Sequence, residues 1–247
     1  MKKTGEETVT QFRNMKLIQR NDFQNFTLDS VLLGDFVKIN RKIKKILDIG
    51  TGCGILPIIL HEKSNAYIVG VEIQEIMYRI AEKNMIKNNF ERRVKIIHND
   101  IKNYKKMFKK DEFDSIVSNP PYFDFKGDIN QINNLEQVAK ARHNIDITLE
   151  EIIKISSYLL KNNGYFSMVF RSERLVEILE IMKQYRLIPK RMRNVYTKRN
   201  QNAKISLIEG IKNAKEGIKI ESPIYIYNEN NERSEYINKL YGNNNRI

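Results

Sequence analysis

Several residue types and patterns are scarce in this chain of 247 residues, and each scarcity excludes a class of protein. Cys53 is the only cysteine, which excludes an intrachain disulfide and favours a reducing compartment. No apolar run reaches the roughly 18 residues that a membrane span requires. The basic residues at the start are not followed by an apolar stretch, so they do not resemble a secretory signal. We therefore expect a cytoplasmic protein without a membrane span.

Acidic residues are scarce in two segments of the chain, whose formal net charge is +13. Residues 183–219 contain 11 basic and two acidic side chains, and residues 1–45 contain 10 basic and five acidic ones. Residues 46–182 are neutral overall. The coding bias of an AT-rich genome would add Lys evenly, so this uneven distribution favours a surface that binds a polyanion, most simply nucleic acid.

The alternation of short apolar strands with helical patterns predicts an α/β fold. We predict strands near residues 44–50, 67–73, 94–97, 113–118 and 165–170, with helices from residue 55, at 74–88, at 149–160 and from 172 to about 185. Two last strands, near 191–197 and 204–210, are joined by a loop too short for a crossover helix and should form an antiparallel hairpin. The prediction is a seven-stranded, mainly parallel sheet with an antiparallel last strand and helices on both faces.

The first 43 residues are predicted to form an N-terminal extension. Residues 16–20 and 23–27 flank Asn21 and Asp22, which indicates a small hairpin. Asp29 is a candidate N-cap for a helix that buries residues 32, 33 and 36, although this segment could also lie over a cofactor. We assign residues 44–230 to a catalytic domain and residues 231–247 to a C-terminal tail.

Three alternate glycines, Gly50, Gly52 and Gly54, follow Asp48 at the end of the first predicted strand of the sheet. Ligands bind at the carboxyl edge of open α/β sheets, and glycine lets the backbone turn sharply there and approach a ligand. The dinucleotide fingerprint has its third glycine three residues after the second, where this chain has Ile55. The loop is therefore predicted to bind a different cofactor, with an ordinary glycine turn as the plainer alternative.

Acidic residues also follow the next two strands. Glu72 comes 22 residues after Gly50, where a carboxylate can accept hydrogen bonds from both hydroxyls of a ribose. The alternative is an exposed acid at a strand end. Asp100 and Ile101 follow the third strand, and from the residues alone Asp100 could equally cap a turn.

A tetrad follows the fourth strand directly: Asn119, Pro120, Pro121 and Tyr122. Two prolines could simply end the strand, but the tetrad also suits methylation of a planar nitrogen, whose lone pair is delocalised. The side-chain carbonyl of Asn119 and the main-chain carbonyl of Pro120 can accept hydrogen bonds from an amino group, and Tyr122 can stack on a base. Such chemistry requires no metal, and no cluster of His, Cys and Asp has ligand spacing.

A target base inside a helix could not reach such a pocket, so it must be flipped out or lie in a loop. The turn at residues 197–202 is predicted to lie on the side of the sheet that carries the tetrad. We expect basic side chains in and before this turn to contact RNA phosphates. They are Lys190, Arg191, Arg193, Lys198 and Arg199.

Further segments occur in an order that resembles a known family almost end to end. They are Phe26 to Leu33, the tetrad, Ala141-Arg142-His143, Arg171 to Leu175, Glu209 to Lys212 and Ser222 to Tyr227. The chain resembles the bacterial tRNA1(Val) (adenine-37-N6)-methyltransferases, and a short version rich in Asn, Lys and Ile would suit a small-genome bacterium such as a mycoplasma. The resemblance implies a class I methyltransferase fold that binds S-adenosylmethionine.

The resemblance also implies roles for individual residues. Asp48 would lie near the amino-acid part of the cofactor, the three glycines and Ile101 would line it, and Asp100 would bind the amino group of its adenine. Asn119 would contact both cofactor and substrate. Arg142 would contact RNA or close the pocket with His143, which could equally be an ordinary surface residue. The implied partner is tRNA, specifically the anticodon stem-loop of tRNA(Val), with a monomeric enzyme favoured.

Other functions remain open at this point. The same tetrad serves N6 of adenine or N2 of guanine in ribosomal RNA, and N5 of glutamine in proteins. The short N-terminal extension and the basic segment make a glutamine substrate less suitable. A non-catalytic RNA-binding module that keeps a relic pocket is the alternative outside enzymes.

Overall fold

The computed structural model describes residues 5–22, 26–120 and 147–242. The strands of the described residues are β1 Glu7–Phe12, β2 Met15–Arg20, β3 Lys45–Ile49, β4 Tyr67–Glu72, β5 Val94–His98, β6 Phe113–Ser118, β7 Leu160–Arg171, β8 Leu187–Tyr196, β9 Ile205–Lys212, β10 Lys219–Ile220 and β11 Ile224–Tyr225. The helices are α1 Leu28–Phe36, α2 Ile55–Lys63, α3 Glu75–Lys87, α4 Tyr104–Met107, α5 Leu149–Leu159, α6 Leu175–Gln184 and α7 Glu235–Tyr241. Short 3-10 turns precede α4 and α6.

The large sheet confirms the predicted fold class. Its seven main strands have the order β5-β4-β3-β6-β7-β9-β8, in which β9 runs antiparallel to both of its neighbours. The other contacts between main strands are parallel. Two short strands, β10 and β11, extend the sheet by pairing parallel with β8. Each has only two residues, which is too short to give a strand pattern in the sequence.

Helices cover both faces of the sheet. Side chains such as Ile46 and Ile68 pack toward α1, α2 and α3, whereas Leu47 and Val69 pack toward α5 and α6. Burial on both faces explains why β3 and β4 are apolar almost throughout instead of alternating. Because β3, β4, β5 and β6 are parallel, their carboxyl ends meet at one edge of the sheet.

The N-terminal hairpin exists, but its predicted turn is wrong. Strands β1 and β2 pair across a turn at residues 13 and 14, where Arg13 has a φ of 52°. Asn21 lies instead beside the start of β1, where its Oδ1 accepts hydrogen bonds from the N–H groups of Gly5 and Glu6. Residues 23–25 of the predicted second strand lie outside the described residues.

Two predicted helix starts are also corrected. The N-cap of α1 is Thr27, and Asp29 lies in the first turn of the helix. The residues expected to face the core, Leu32, Leu33 and Phe36, are buried. The Ser172 hydroxyl bonds to the hydroxyl of Ser206 at 2.9 Å and does not cap α6, which starts three residues later.

The end of the chain packs against its beginning. The ring of Tyr241 in α7 meets the ring of Phe12 at 5.8 Å between centroids, and the Arg13 Nε donates to the carbonyl of Leu240 at 2.9 Å. The segment treated as a tail thus contains a packed helix. Among the described residues, none of the helices combines the length and apolar character needed to cross a membrane.

Candidate active site

The carboxyl edge of β3 and β6 brings the glycine loop beside Asn119, the first residue of the tetrad. The two strands are neighbours, with Ile49 paired to Ser118, and the Ser118 hydroxyl donates to the Ile49 carbonyl at 3.0 Å. Gly50 and Asn119 are the next residues of the two strands. Since neighbouring strands lie about 4.8 Å apart, these two predicted functions share one site.

The three glycines of the loop have different surroundings. All have positive φ, at 74° for Gly50, 57° for Gly52 and 86° for Gly54, a region that other residues rarely adopt. A Cβ at Gly50 would meet no atom within 4 Å, whereas one at Gly54 would lie 2.9 Å from the Cε of Met85 in α3. Gly50 therefore leaves the backbone open to a ligand, while Gly54 permits close packing between the loop and α3.

Asp48 is a buried acid within the sheet. Its Oδ2 accepts a hydrogen bond from the Thr51 hydroxyl at 2.6 Å, and its buried Oδ1 has no hydrogen-bond partner among the described residues. Burial raises the pKa of Asp48 to about 7; the bond from Thr51 opposes this rise, and the charge of Glu72 adds to it. The Oδ1 can therefore accept a hydrogen bond from a donor group of a ligand.

Glu72 is held by the loop itself. Its Oε2 accepts from the Gly52 N–H at 2.8 Å and its Oε1 accepts from the Gln74 N–H at 2.9 Å. Burial raises the pKa of Glu72, while these backbone donors act in the opposite direction. Each carboxylate oxygen can accept a second bond, so Glu72 keeps the capacity to bind a pair of hydroxyls. It is buried, which disfavours the alternative of an exposed strand end.

Asp100 lies beside Glu72 at the same edge. The adjacent Asn99 N–H donates to the Glu72 carbonyl at 3.1 Å. The Asp100 side chain accepts from the Lys102 N–H at 2.8 Å and caps the 3-10 turn that buries Ile101. The capping role left open by the sequence is therefore present, and it leaves carboxylate lone pairs for a ligand.

Asn119 is fixed by a residue from the N-terminal extension. Its Nδ2 donates to the Ser30 Oγ at 2.7 Å, and its buried Oδ1 has no hydrogen-bond partner among the described residues. Pro120 is buried next to it. The arrangement presents an unused amide oxygen beside the glycine loop, which suits a hydrogen bond from a substrate amino group.

Comparisons with known proteins agree with this geometry. A family model described as a methyltransferase domain matches residues 40–221. The tRNA1(Val) (adenine(37)-N6)-methyltransferase of Bacteroides thetaiotaomicron is 33% identical over 186 residues, which are 73% of this chain and 73% of that protein. The enzyme of the same name from Shewanella woodyi is 28% identical and covers 68% of each chain.

This chain belongs to the tRNA1(Val) (adenine(37)-N6)-methyltransferase family. Its members are S-adenosylmethionine-dependent enzymes. Solved structures also show the fold. A predicted O-methyltransferase from Agrobacterium tumefaciens has a TM-score of 0.68 and 16% identity and covers 87% of this chain and 95% of its own. A geranyl diphosphate C-methyltransferase from Streptomyces coelicolor was solved with S-adenosyl-L-homocysteine. It has a TM-score of 0.53 and 12% identity, and the match covers 74% of this chain and 78% of that enzyme.

The site of this methyltransferase fits its cofactor. The open backbone at Gly50, the buried Glu72 and the Asp48 Oδ1, which has no partner in the described part of the chain, would hold S-adenosylmethionine. This cofactor supplies a methyl group on a positively charged sulfur. No group of three potential metal ligands occurs within residues 5–22, 26–120 and 147–242. Three predicted site residues, Pro121, Tyr122 and Arg142, lie outside the described residues, as does His143.

Sequence reasoning missed three residues that support the methyltransferase site. Ser30 holds Asn119, and Thr51 holds Asp48. Gly70 makes room for Thr51, because a Cβ there would lie 2.8 Å from the Thr51 hydroxyl. Ser30 and Thr51 lie inside quoted motifs, but only the fold shows their partners. Gly70 stands in a strand, where an isolated glycine indicates a close approach.

The predicted RNA-binding cations along β8 mostly have partners within the methyltransferase. Lys190 Nζ donates to the carbonyls of Lys215 and Glu216, beyond the other end of the sheet. Arg191 pairs with Glu209 at 3.1 Å and with Glu221 at 3.3 Å. Arg193 donates to the Ser222 carbonyl at 2.9 Å and its guanidinium lies 4.9 Å from the centroid of the Tyr236 ring.

Of the two cations of the turn after β8, Arg199 is exposed and Lys198 is half-buried. The Arg199 side chain is 68% exposed and pairs with Glu229 at 3.3 Å, a surface contact that contributes little. Its guanidinium also lies 5.8 Å from the centroid of the Tyr225 ring. Lys198 bonds to the neutral side chain of Asn231. Strand β8 runs parallel to β6, so this turn lies at the edge that carries Asn119, three strands or roughly 14 Å away.

Proposed function

We propose that this protein transfers the methyl group of S-adenosylmethionine to N6 of an adenine in tRNA, at adenine 37 next to the anticodon of tRNA(Val). Membership of the family supports the reaction and the substrate. The observation that carries the proposal is the buried Asn119 Oδ1 beside the glycine loop, which has no hydrogen-bond partner within the part of the chain that the structure describes. An adenine amino group requires such an acceptor, whereas a non-catalytic RNA-binding module would have no use for it.

Asn119 and Pro120 act on the amino nitrogen of adenine. The two carbonyl oxygens accept the two N–H groups, which orients the nitrogen lone pair and stabilises positive charge that develops during attack. Neutral amide oxygens hold these hydrogens without removing them, so the released proton passes to water after transfer. Tyr122 is proposed to stack on the base.

The cofactor is held on the other side of Asn119. Glu72 is proposed to accept from the ribose hydroxyls, Asp100 from the adenine amino group, and Asp48 from the cationic amino-acid end. Gly50, Gly52, Gly54 and Ile101 line this part of the site. These roles leave Asn119 between cofactor and substrate, where it can contact both.

The tRNA is proposed to cross the sheet edge from Asn119 to the turn after β8. Lys198 and Arg199 would contact phosphates, and Arg142 would contribute from its own segment. Lys190, Arg191 and Arg193, which have partners within the protein, would act mainly by supporting β8. An unpaired loop nucleotide suits this surface, because a base within a helix could not reach Asn119.

Labelled methyl transfer to total bacterial tRNA, to ribosomal RNA and to bacterial protein in separate reactions, followed by mass spectrometry of nucleosides and peptides, tests the proposal. The expected product is N6-methyladenosine in tRNA(Val), and a transcript with guanosine at position 37 should accept no methyl group. Product in ribosomal RNA alone, as N6-methyladenosine or N2-methylguanosine, would contradict the tRNA substrate. Methylation of protein glutamine without RNA methylation would contradict the nucleic-acid substrate.

A further inference from the structure

Ser30 makes the one described side-chain contact to the Asn119 amide. The Ser30 Oγ accepts from the Asn119 Nδ2 at 2.7 Å, although the two residues are 89 positions apart in the sequence. Ser30 is 6% exposed and lies in the first turn of α1. This contact joins the N-terminal extension to the catalytic tetrad.

The contact holds the Asn119 amide in the structure with its Nδ2 toward Ser30 and its Oδ1 pointing away from that serine. A side-chain amide has a donor end and an acceptor end of nearly equal size. With its NH2 group engaged by Ser30, the amide directs its oxygen elsewhere, and no residue in the described ranges bonds to that oxygen. The reversed amide would turn its NH2 group toward the amino group of adenine, and two donors would then face each other.

Close packing and hydrogen bonds fix the position of helix α1, which carries Ser30. A Cβ at Gly34 would lie 2.8 Å from the Ile59 Cγ2, so α1 packs closely on α2. At the far end of α1, Lys63 Nζ donates to the carbonyls of Gly34, Asp35 and Val37 at 2.6 to 3.0 Å. Packing and these three hydrogen bonds fix the position from which Ser30 reaches Asn119.

We propose that Ser30 is a positioning residue for methyl transfer, which holds the Asn119 amide with its oxygen directed at the acceptor amine. The inference rests on the proposed function for its effect on turnover. It also predicts a property of the free protein, because the hydrogen bond exists without substrate.

The test compares Ser30→Ala, Ser30→Thr and a matched control, Ser115→Ala. Ser115 is a buried serine on β6, the strand that leads to Asn119, and its hydroxyl has no hydrogen-bond partner among the described residues. The first measurement is the NMR signal of the Asn119 side-chain NH2, assigned by its absence in Asn119→Ala. The second is kcat and KM on total tRNA, together with the cofactor Kd.

In Ser30→Ala we expect a shifted Asn119 amide signal and a kcat lowered about 10- to 100-fold, because the oxygen is no longer held in one place. The KM for tRNA and the cofactor Kd should stay unchanged, Ser30→Thr should restore signal and kcat, and Ser115→Ala should alter neither. An unmoved amide signal, an unchanged kcat or an equal loss in Ser115→Ala would overturn the inference. If the wild-type protein methylates no tRNA, the proposed function fails, and the amide signal alone decides the role of Ser30.

Discussion

The two halves of the active-site edge hold their buried polar groups in different ways. In the cofactor half, Asp48 and Glu72 are carboxylates that bond to groups of the glycine loop at positions 51 and 52. In the acceptor half, Asn119 is a neutral amide held by Ser30 from the distant α1. The cofactor half is therefore built mainly from nearby sequence and responds to pH. The acceptor half depends on packing of the N-terminal extension and carries no titrating group at Asn119.

The first prediction breaks the acceptor half alone. We expect Asn119→Ala to lower turnover about a thousandfold, since it removes the main acceptor for the amino group, while cofactor binding survives. Labelled methyl transfer and calorimetric titration with S-adenosylmethionine measure the two effects separately. Ser115→Ala is the control for a change elsewhere on β6. Wild-type turnover in Asn119→Ala would show that the proposed mechanism is wrong.

The second prediction concerns the buried acid of the cofactor half. Burial raises the pKa of Asp48 to about 7 in the folded protein from 3.8 for an aspartate in water, so the folded state binds this proton more tightly. The stability that this proton confers is complete below about pH 4 and is lost as the pH rises through about 7. We expect the loss to reach about 4 kcal/mol at most in the absence of cofactor.

Denaturant unfolding of the free protein at a series of pH values measures this effect. Asp48→Asn should remove the contribution of Asp48 to the slope of the unfolding free energy against pH. It should keep the contribution of Glu72, whose pKa is also raised. Cofactor should bind more tightly as Asp48 ionises, because the resulting carboxylate attracts the cationic amino-acid end. Identical slopes for the two proteins would contradict the raised pKa of Asp48.

The third prediction separates cofactor binding from RNA binding. We expect Glu72→Gln to weaken cofactor binding about 10- to 100-fold, the range for losing charged hydrogen bonds, with little change in affinity for tRNA. Glu75→Gln is a matched control, because Glu75 is an exposed acid at the start of α3. Equal effects of the two substitutions on cofactor Kd would refute the role given to Glu72.

The difference between the two halves also explains which site residues could be predicted from the sequence. Gly50, Gly52, Gly54 and Glu72 are recognisable because their spacing along the chain is set by consecutive elements, which are β3, the glycine turn, α2 and β4. Ser30 gave no such signal, because its partner is 89 residues away and only the docking of α1 brings them together.

Local patterns misled the prediction in other places. Asn21 and Asp22 are residues typical of turns, but the hairpin turns at Arg13 and Asn14, between Phe12 and its pairing partner Met15. The strand before this turn, β1, is mostly exposed or half-buried and so gave little apolar signal. The charge count likewise located an excess of positive charge on residues 183–219. It could not show that Arg191 forms ion pairs with Glu209 and Glu221. The distribution of charge along a sequence does not reveal which basic side chains form ion pairs within the folded protein.

The last and smallest prediction concerns the surface that extends from the acceptor half. We expect Lys198→Glu with Arg199→Glu to weaken tRNA binding and to reduce the slope of log K against log salt by about 1.4, since each lost phosphate contact removes about 0.7. Lys42→Glu with Lys44→Glu is a matched control, because these exposed lysines precede β3 at the opposite edge of the sheet and change the net charge equally. Filter binding across a salt series measures both variants. Equal slopes would mean that tRNA responds to net charge alone, and the path from Asn119 to the turn after β8 would then have no support.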